Sequence, residues 1–254
     1  MSAPIWSTEL AQAAQNNAQW CDTICRAHGA PGEFSEQLWL TRHKTPRFYP
    51  NAVTLAPTPQ ALAAHTHLAD RLANALPAQG AVKDSFCTLD LAPWGFQSLF
   101  TAMWLWRPPA PLPSQPSLTH IQWATVQAPA ELARWEAAWN GQPTDAAAPD
   151  AEVAALPRVF LPAFLADPDL CFIAAYQKEQ IVAGAIANRT GDVVGVSNLF
   201  YPAQDAPAYW AGCVATIVDR YPTHPLVGYE QGDDLVMAQT LGFTALGPLR
   251  LWAR

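Results

Sequence analysis

Two neighbouring side chains near the end of the chain have the types needed to move protons. Glu230 is the last residue of a short, mostly apolar segment, Leu226–Glu230, and it directly follows Tyr229. A carboxylate at such a position could accept a proton, and a tyrosine hydroxyl could donate one. Glu230 could instead belong with Asp233 and Asp234 to the negative charge that favours a helix start. Tyr229 could equally be a core side chain with a satisfied hydroxyl.

Two polar residues interrupt another apolar strand. Ser197 and Asn198 stand between Val193–Val196 and Leu199. Polar side chains within such a strand cost free energy unless they are paired or face a cleft. With Gly195 close by, they predict a β-bulge that opens the sheet, and they could line a binding cleft. Plain hydrogen bonding or exposure to solvent is the alternative.

Three possible metal ligands lie near the end of a predicted first helix. Cys21, Cys25 and His28 repeat at helical spacing at the end of the predicted helix 12–27, so they share one face. No fourth ligand follows at the spacing of a tetrahedral zinc site, and a buried cysteine usually behaves as a small apolar side chain. We therefore expect no metal site.

The composition is typical of a folded protein in a reducing compartment. The 254 residues are 50% hydrophobic and 14% charged, which is enough apolar material for a sizeable core. The formal net charge is −7 and no Lys/Arg run occurs, so nucleic acid and anionic membranes are not expected partners. The five scattered cysteines fit free thiols in the cytoplasm, and neither a spanning helix nor a secretory signal is predicted.

A proline-rich segment divides the chain. Residues 107–117 hold five prolines, each of which fixes φ and lacks an amide donor, so this stretch favours an extended linker. The sequence predicts a first half over 1–110, a linker over 111–117 and a second half over 118–254.

The second half is predicted to contain strands and helices in mixed order. Apolar runs, polar turns and prolines give a strand, two helices, three hairpin-linked strands, and then helix, strand, helix, strand. The predicted bounds are 120–126, 129–139, 156–166, 171–176, 181–188, 193–201, 207–220, 226–230, 233–241 and 244–252.

The first half repeats part of this order. After the first helix, strand 47–55, helix 60–76 and strands 85–91 and 99–106 are predicted. Each half has a proline after one strand and a Gly-Phe pair before another, at nearly the same separation: Pro57, Gly95-Phe96, Pro202 and Gly242-Phe243. The match favours a duplicated unit, and a chance arrangement of a common α/β pattern is the alternative.

Three segments of the second half resemble the GNAT superfamily of N-acetyltransferases. The hairpin 171–186 is similar to the family's strand, polar turn and hydrophobic-Gly-hydrophobic strand. Leu199–Pro202 leads directly into a helix, and Leu241–Gly247 is similar to the family's closing strand. The resemblance covers 118–254 and, as a truncated copy, 35–107. It implies an α/β (α+β) fold with a mixed, mostly antiparallel sheet flanked by helices and duplicated in two halves.

The resemblance also implies an acyl-CoA cosubstrate such as acetyl-CoA. Backbone groups exposed where two strands splay apart would pair with its pantetheine arm, and the next helix N-terminus would bind its pyrophosphate. The implied cofactor-binding residues are Leu199, Phe200, Tyr201, Ala206, Ala208, Tyr209 and Trp210. Ser197 and Asn198 would line the substrate cleft. The implied reaction needs a base for the amine and an acid for the departing thiolate, and the candidates for these roles are Glu230 and Tyr229.

The phosphate-binding loop departs from the family's pattern. Where the family has Arg or Gln followed by spaced small residues, this chain has Asp205–Trp210. Asp205 repels a pyrophosphate, and Pro207 removes an amide donor. The position of the family's frequent thiolate-protonating tyrosine holds Ala238.

Two functions therefore remain open at this level. One is acyl transfer from acyl-CoA to an amine of a small molecule or peptide, without a metal. The other is a GNAT-like module without catalytic activity that binds a ligand or partner in the former cleft.

Overall fold

The fold is given by a computed structural model that describes residues 7–57, 62–114, 118–142 and 157–254. The α-helices are α1 Thr8–Ala27, α2 Leu62–Ala75, α3 Pro129–Trp139, α4 Ala206–Arg220 and α5 Gly232–Thr240. Short 3₁₀ helices cover Ala92–Trp94 and Pro162–Ala166. The strands are β1 Glu33–Phe34, β2 Leu38–Leu40, β3 Ala52–Thr54, β4 Ala81–Asp84, β5 Gln97–Arg107, β6 Ile121–Thr125, β7 Leu170–Gln177, β8 Gln180–Thr190, β9 Val193–Phe200, β10 Leu226–Glu230 and β11 Thr244–Ala253.

The chain forms two units that are interleaved along the sequence. The first unit comprises Met1–Trp106, Tyr229–Gly232 and Ala245–Arg254. The second comprises Arg107–Gly228 and Asp233–Thr244. Strands β10 and β11 therefore each contribute residues to both units.

In the second unit the strand order is β10-β9-β8-β7-β6. β6 to β9 pair antiparallel with their neighbours, and β9 and β10 pair in parallel, with α4 between them in sequence. A parallel pair needs such a crossover, since a tight turn can join only antiparallel strands. Residues 171–175 of β7 are all buried, which explains the unbroken apolar run in the sequence.

In the first unit the strand order is β1-β2-β3-β4-β11-β5. β3 and β4 are parallel, and α2 lies between them in sequence. β11 pairs antiparallel with β4, with Trp252 opposite Val82. Both side chains belong to a buried apolar cluster with Leu72 of α2. The last strand of the chain thus completes the sheet of the first unit.

The two units repeat the same local arrangement. Each contains a strand, a helix and a parallel strand, followed by a glycine in the left-handed conformation: Gly95 with φ 83° and Gly242 with φ 90°. Glycine adopts positive φ without the steric cost that other residues have. The predicted α/β fold with a mixed, mostly antiparallel, duplicated sheet is confirmed.

The first half contains the main errors of the strand predictions. The predicted strand 85–91 is wrong, because the Asp84 carboxylate accepts the amides of Phe86 at 3.4 Å and Leu89 at 2.9 Å and folds the chain into turns. The predicted strand 47–55 is reduced to β3, and β2 was missed. Short strands such as these are defined by long-range pairing more than by local pattern.

Two helix predictions also need correction. α1 begins at Thr8 rather than residue 12, because the Ser7 hydroxyl accepts the Leu10 amide at 3.2 Å and caps the helix. The predicted helix 156–166 is only a 3₁₀ helix over Pro162–Ala166, and residue 156 lies outside the described residues.

In the described part of the chain, no helix combines the length and apolar character needed to cross a membrane. The same residues contain no group of three or more His, Cys, Asp or Glu side chains placed to hold a metal ion. Cys21 and Cys25 are buried on α1, and all five cysteines are free thiols. Burial raises the pKa of the Cys21 thiol to about 11.

Candidate functional site

Strands β9 and β10 separate soon after they meet. They pair at two positions, Leu226 with Val194 and Val227 with Gly195. Beyond these pairs, the β9 residues Val196–Phe200 have no ladder partner on the β10 side within the described chain. A Cβ atom on Gly228 would lie 3.0 Å from the Val196 carbonyl oxygen, so only glycine allows this approach without displacement. β9 therefore has a free edge of backbone N–H and C=O groups.

A β-bulge lies at this free edge. The β8–β9 register shifts between Gly184 and Ile186, so β9 holds one residue more than β8 there. Asn198 in the bulge has φ 53°, a left-handed conformation that asparagine adopts more readily than most residues. The bulge predicted from Ser197 and Asn198 is confirmed.

The Ser197 hydroxyl is buried beside the bulge. It has no hydrogen-bond partner among the described residues. Leaving a buried hydroxyl unpaired costs about 1–3 kcal/mol. A hydroxyl in this state can form a hydrogen bond with a bound molecule without first breaking one within the protein.

Aromatic side chains pack behind the bulge. The Phe200 ring lies 5.1 Å from the Trp135 ring in an edge-on arrangement, and Phe172 contacts the same indole at 5.4 Å. The Trp135 indole N–H donates to the Ile173 carbonyl at 2.8 Å. The side chain of Phe200 therefore belongs to the core, and only its backbone belongs to the free edge.

A carboxylate connects the end of β9 to α4 and α5. The Tyr201 hydroxyl and the Trp210 indole N–H both donate to Oδ1 of Asp234, the latter at 2.9 Å. Trp210 is buried, and Asp234 lies in the first turn of α5. This contact fixes the segment that follows β9.

The start of α4 has few free backbone donors. Asp205 precedes the helix in a left-handed conformation, and its carbonyl accepts the amides of Ala208 at 2.9 Å and Tyr209 at 3.2 Å. Pro207 has no amide hydrogen. The Tyr209 side chain is buried, and this burial, with a smaller effect of Asp205, raises its pKa.

In the first unit, the Tyr229 hydroxyl accepts a hydrogen bond from a buried lysine. Lys83 is 4% exposed, and its Nζ lies 3.2 Å from the Tyr229 hydroxyl and 2.7 Å from Asn17 Oδ1. Within the described residues, no carboxylate lies within ion-pair distance of this ammonium group. An ammonium group only donates, so the tyrosine oxygen is the acceptor and its own proton remains for another group. Trp104 packs edge-on against Tyr229 at 5.5 Å.

The predicted site residues are divided between the two units. Residues 197–201 and 206–210 lie in the second unit, and Tyr229 and Glu230 lie in the first. Ala238 is fully buried. Sequence reasoning missed Lys83, since the residues around it were not assigned to a strand. The sequence signal that could have identified it was a single lysine next to the apolar Val82.

Comparisons with known proteins agree on the fold. No protein-family model and no curated protein sequence matches this chain. A GCN5-related N-acetyltransferase from Kribbella flavida is 15% identical, with a TM-score of 0.58 over 95% of each chain. A functionally unknown conserved protein from Staphylococcus epidermidis is 9% identical, with a TM-score of 0.61 over 89% of this chain and 94% of that one.

A tandem GNAT protein from the clavulanic acid biosynthesis pathway is 11% identical, with a TM-score of 0.51 over 96% of each chain. Its tandem character fits the duplicated arrangement of this chain. The chain thus has the fold of the GNAT N-acetyltransferases, and the resemblance drawn from the sequence is confirmed for the fold.

Proposed function

We propose that this protein is an acyltransferase that moves an acyl group from a pantetheine thioester, as in acetyl-CoA, to an amine of a small molecule or peptide. The observation that carries the proposal is the free edge of β9 with the unpaired, buried Ser197 hydroxyl beside it. The GNAT fold supports the same reaction class, although a fold by itself does not fix a function.

The free edge fits the pantetheine arm of the donor. That arm carries two amide groups, which can pair with the backbone of Val196–Phe200 as an added strand does. Leu199, Phe200 and Tyr201 contribute backbone groups, and Ser197 and Asn198 line the cleft. When bound, the thioester supplies an acyl carbon with a thiolate leaving group.

Two proton transfers accompany the reaction. A bond forms between the amine nitrogen and the acyl carbon, and the carbon–sulfur bond breaks. Glu230 accepts the proton that the amine loses, and Tyr229 donates its hydroxyl proton to the departing sulfur. Lys83 orients Tyr229 for this step, because its hydrogen bond occupies the tyrosine oxygen and leaves the hydroxyl proton for another acceptor.

The test combines binding with turnover. Acetyl-CoA or S-acetylpantetheine at about 100 times its Kd should stabilise the fold by about 2.7 kcal/mol and raise Tm. With a panel of primary amines, thiol release should depend on the amine, and mass spectrometry should detect the acylated product. If neither donor raises Tm at millimolar concentration, the acyltransferase proposal is wrong and the chain is a GNAT-like binding module.

A further inference from the structure

The segment between β9 and α4 carries the wrong charge for a nucleotide diphosphate. Between Arg189 and Arg220 the chain contains no lysine or arginine. Asp205 lies exposed at the start of α4 with a carboxylate that does not cap the helix. Arg220 stands at the other end of α4, about 21 Å away by helical rise.

The backbone of this segment does not compensate for the missing cations. A helix start ordinarily binds phosphate through free amide groups. Here Pro207 lacks one, and the amides of Ala208 and Tyr209 are already bonded to the Asp205 carbonyl. Three of the first four residues of α4 therefore have no amide left to donate.

The neighbouring side chains add a second carboxylate. Asp234 accepts hydrogen bonds from Tyr201 and from Trp210 in the first turns of α4. The Tyr201 hydroxyl and the Trp210 indole N–H are thus directed to a protein carboxylate. Both charges repel a phosphate group.

From these observations, and resting on the proposed acyltransferase function, we infer that the donor is recognised by its acyl-pantetheine arm alone. The diphosphate and the 3′-phosphate of CoA add no binding free energy. Donors that lack the nucleotide, such as S-acetylpantetheine, are therefore bound and used as well as acetyl-CoA.

The inference is tested by titration calorimetry of the full chain with acetyl-CoA, S-acetylpantetheine and adenosine 3′,5′-bisphosphate. The two thioesters should have Kd values within about tenfold, which is the contribution of a single charge-assisted hydrogen bond. Adenosine bisphosphate should not compete with either donor. A preference for acetyl-CoA of tenfold or more, or competition by the bisphosphate, overturns the inference while leaving the acyltransferase proposal intact.

Two variants that each remove one negative charge from α4 or its start test the role of Asp205 directly. Asp205→Asn should tighten acetyl-CoA binding a few-fold, because it removes a repulsive charge, and should leave S-acetylpantetheine unchanged. Asp219→Asn removes the same charge from the exposed far end of α4 and should change neither Kd. Equal effects of Asp205→Asn on both donors contradict the inference. If neither thioester binds, the proposed function fails and the inference fails with it.

Discussion

The Ser197 hydroxyl lowers the stability of the folded chain in a way that a ligand can offset. It is buried without a partner, and so is the Ser85 hydroxyl in the first unit. The two serines differ in their surroundings, since only Ser197 lies beside the free edge of β9. They therefore allow the structural and the ligand-binding effects of a buried hydroxyl to be separated.

Ser197→Ala should weaken donor binding without loss of stability. Removal of an unpaired hydroxyl leaves the free energy of unfolding equal or higher, by up to about 1 kcal/mol. The loss of one hydrogen bond to the donor should raise its Kd about 5- to 10-fold. Thermal unfolding and calorimetry measure both quantities.

Ser85→Ala is the matched control for this experiment. It removes a hydroxyl in the same state and should affect stability similarly, but the donor Kd should not change. Similar Kd values for wild type and Ser197→Ala would mean that Ser197 does not contact the donor.

The effects of substitutions at Lys83 and Tyr229 on kcat should not be additive. Tyr229→Phe removes the proposed proton donor and should lower kcat about 100-fold. Lys83→Met removes a hydrogen bond that orients it and should lower kcat about 10-fold, with the donor KM unchanged. In the Tyr229→Phe background, Lys83→Met should have no further effect on kcat.

The control for this pair is Lys44→Met, which removes an exposed charge from the same unit and should leave kcat unchanged. Additive effects of Lys83→Met and Tyr229→Phe would show that the lysine acts independently of the tyrosine. A matching fall in stability and kcat for Lys83→Met alone would indicate a purely structural role.

At the scale of elements, a charged side chain of α3 adds a second hydrogen bond to β7, beside the one from Trp135 to Ile173. The Tyr176 hydroxyl donates to Glu131, and the Gln127 amide donates to the same carboxylate at 2.8 Å. Partial burial raises the pKa of Glu131, but these hydrogen bonds outweigh it and hold the pKa below its usual value. The stability from this group is fully present above the usual pKa and is lost as pH falls through the lower, folded value.

Tyr176→Phe should therefore destabilise the protein in a pH-dependent way. At pH 7 the expected loss is about 1 kcal/mol, because the bond is to a charged but partly solvated group. The difference from wild type should shrink below pH about 4.3, the usual Glu pKa, as the carboxylate becomes protonated in both proteins. Urea unfolding from pH 3 to 7 measures it, and a constant difference would contradict the prediction.

Local sequence pattern predicted the elements that depend on local signals. Ser197 and Asn198 indicated the bulge, and the prolines and Gly-Phe pairs indicated the duplication. The pairing of β11 with β4 could not be predicted, because no local pattern encodes which distant strand a given strand will pair with. The Lys83–Tyr229 contact was missed for the same reason, since the two residues are 146 positions apart.

For the molecule as a whole, the buried indole of Trp252 anchors β11 in the core of the first unit. The side chain is 5% exposed and packs in the cluster that includes Leu72 and Val82. Trp252→Ala should lower the free energy of unfolding by about 3–5 kcal/mol, as for other large core side chains. Leu99→Ala, at a residue that is 58% exposed, should cost far less.

Urea unfolding of both variants measures this difference. Hydrogen exchange should show loss of protection in β4, the strand that pairs with β11. Equal stability losses for Trp252→Ala and Leu99→Ala would contradict the role assigned to the closing strand.

The pairing of β11 with β4 also affects how the chain folds while it is being translated. β4 is translated about 160 residues before β11, which at roughly 5–20 residues per second is a delay of about 8–30 s. During that interval one side of β4 lacks its final neighbour, and an unpaired strand edge promotes association between nascent chains. Faster translation of the second half, or a chaperone that covers β4 while it waits, should increase the yield of correctly folded protein.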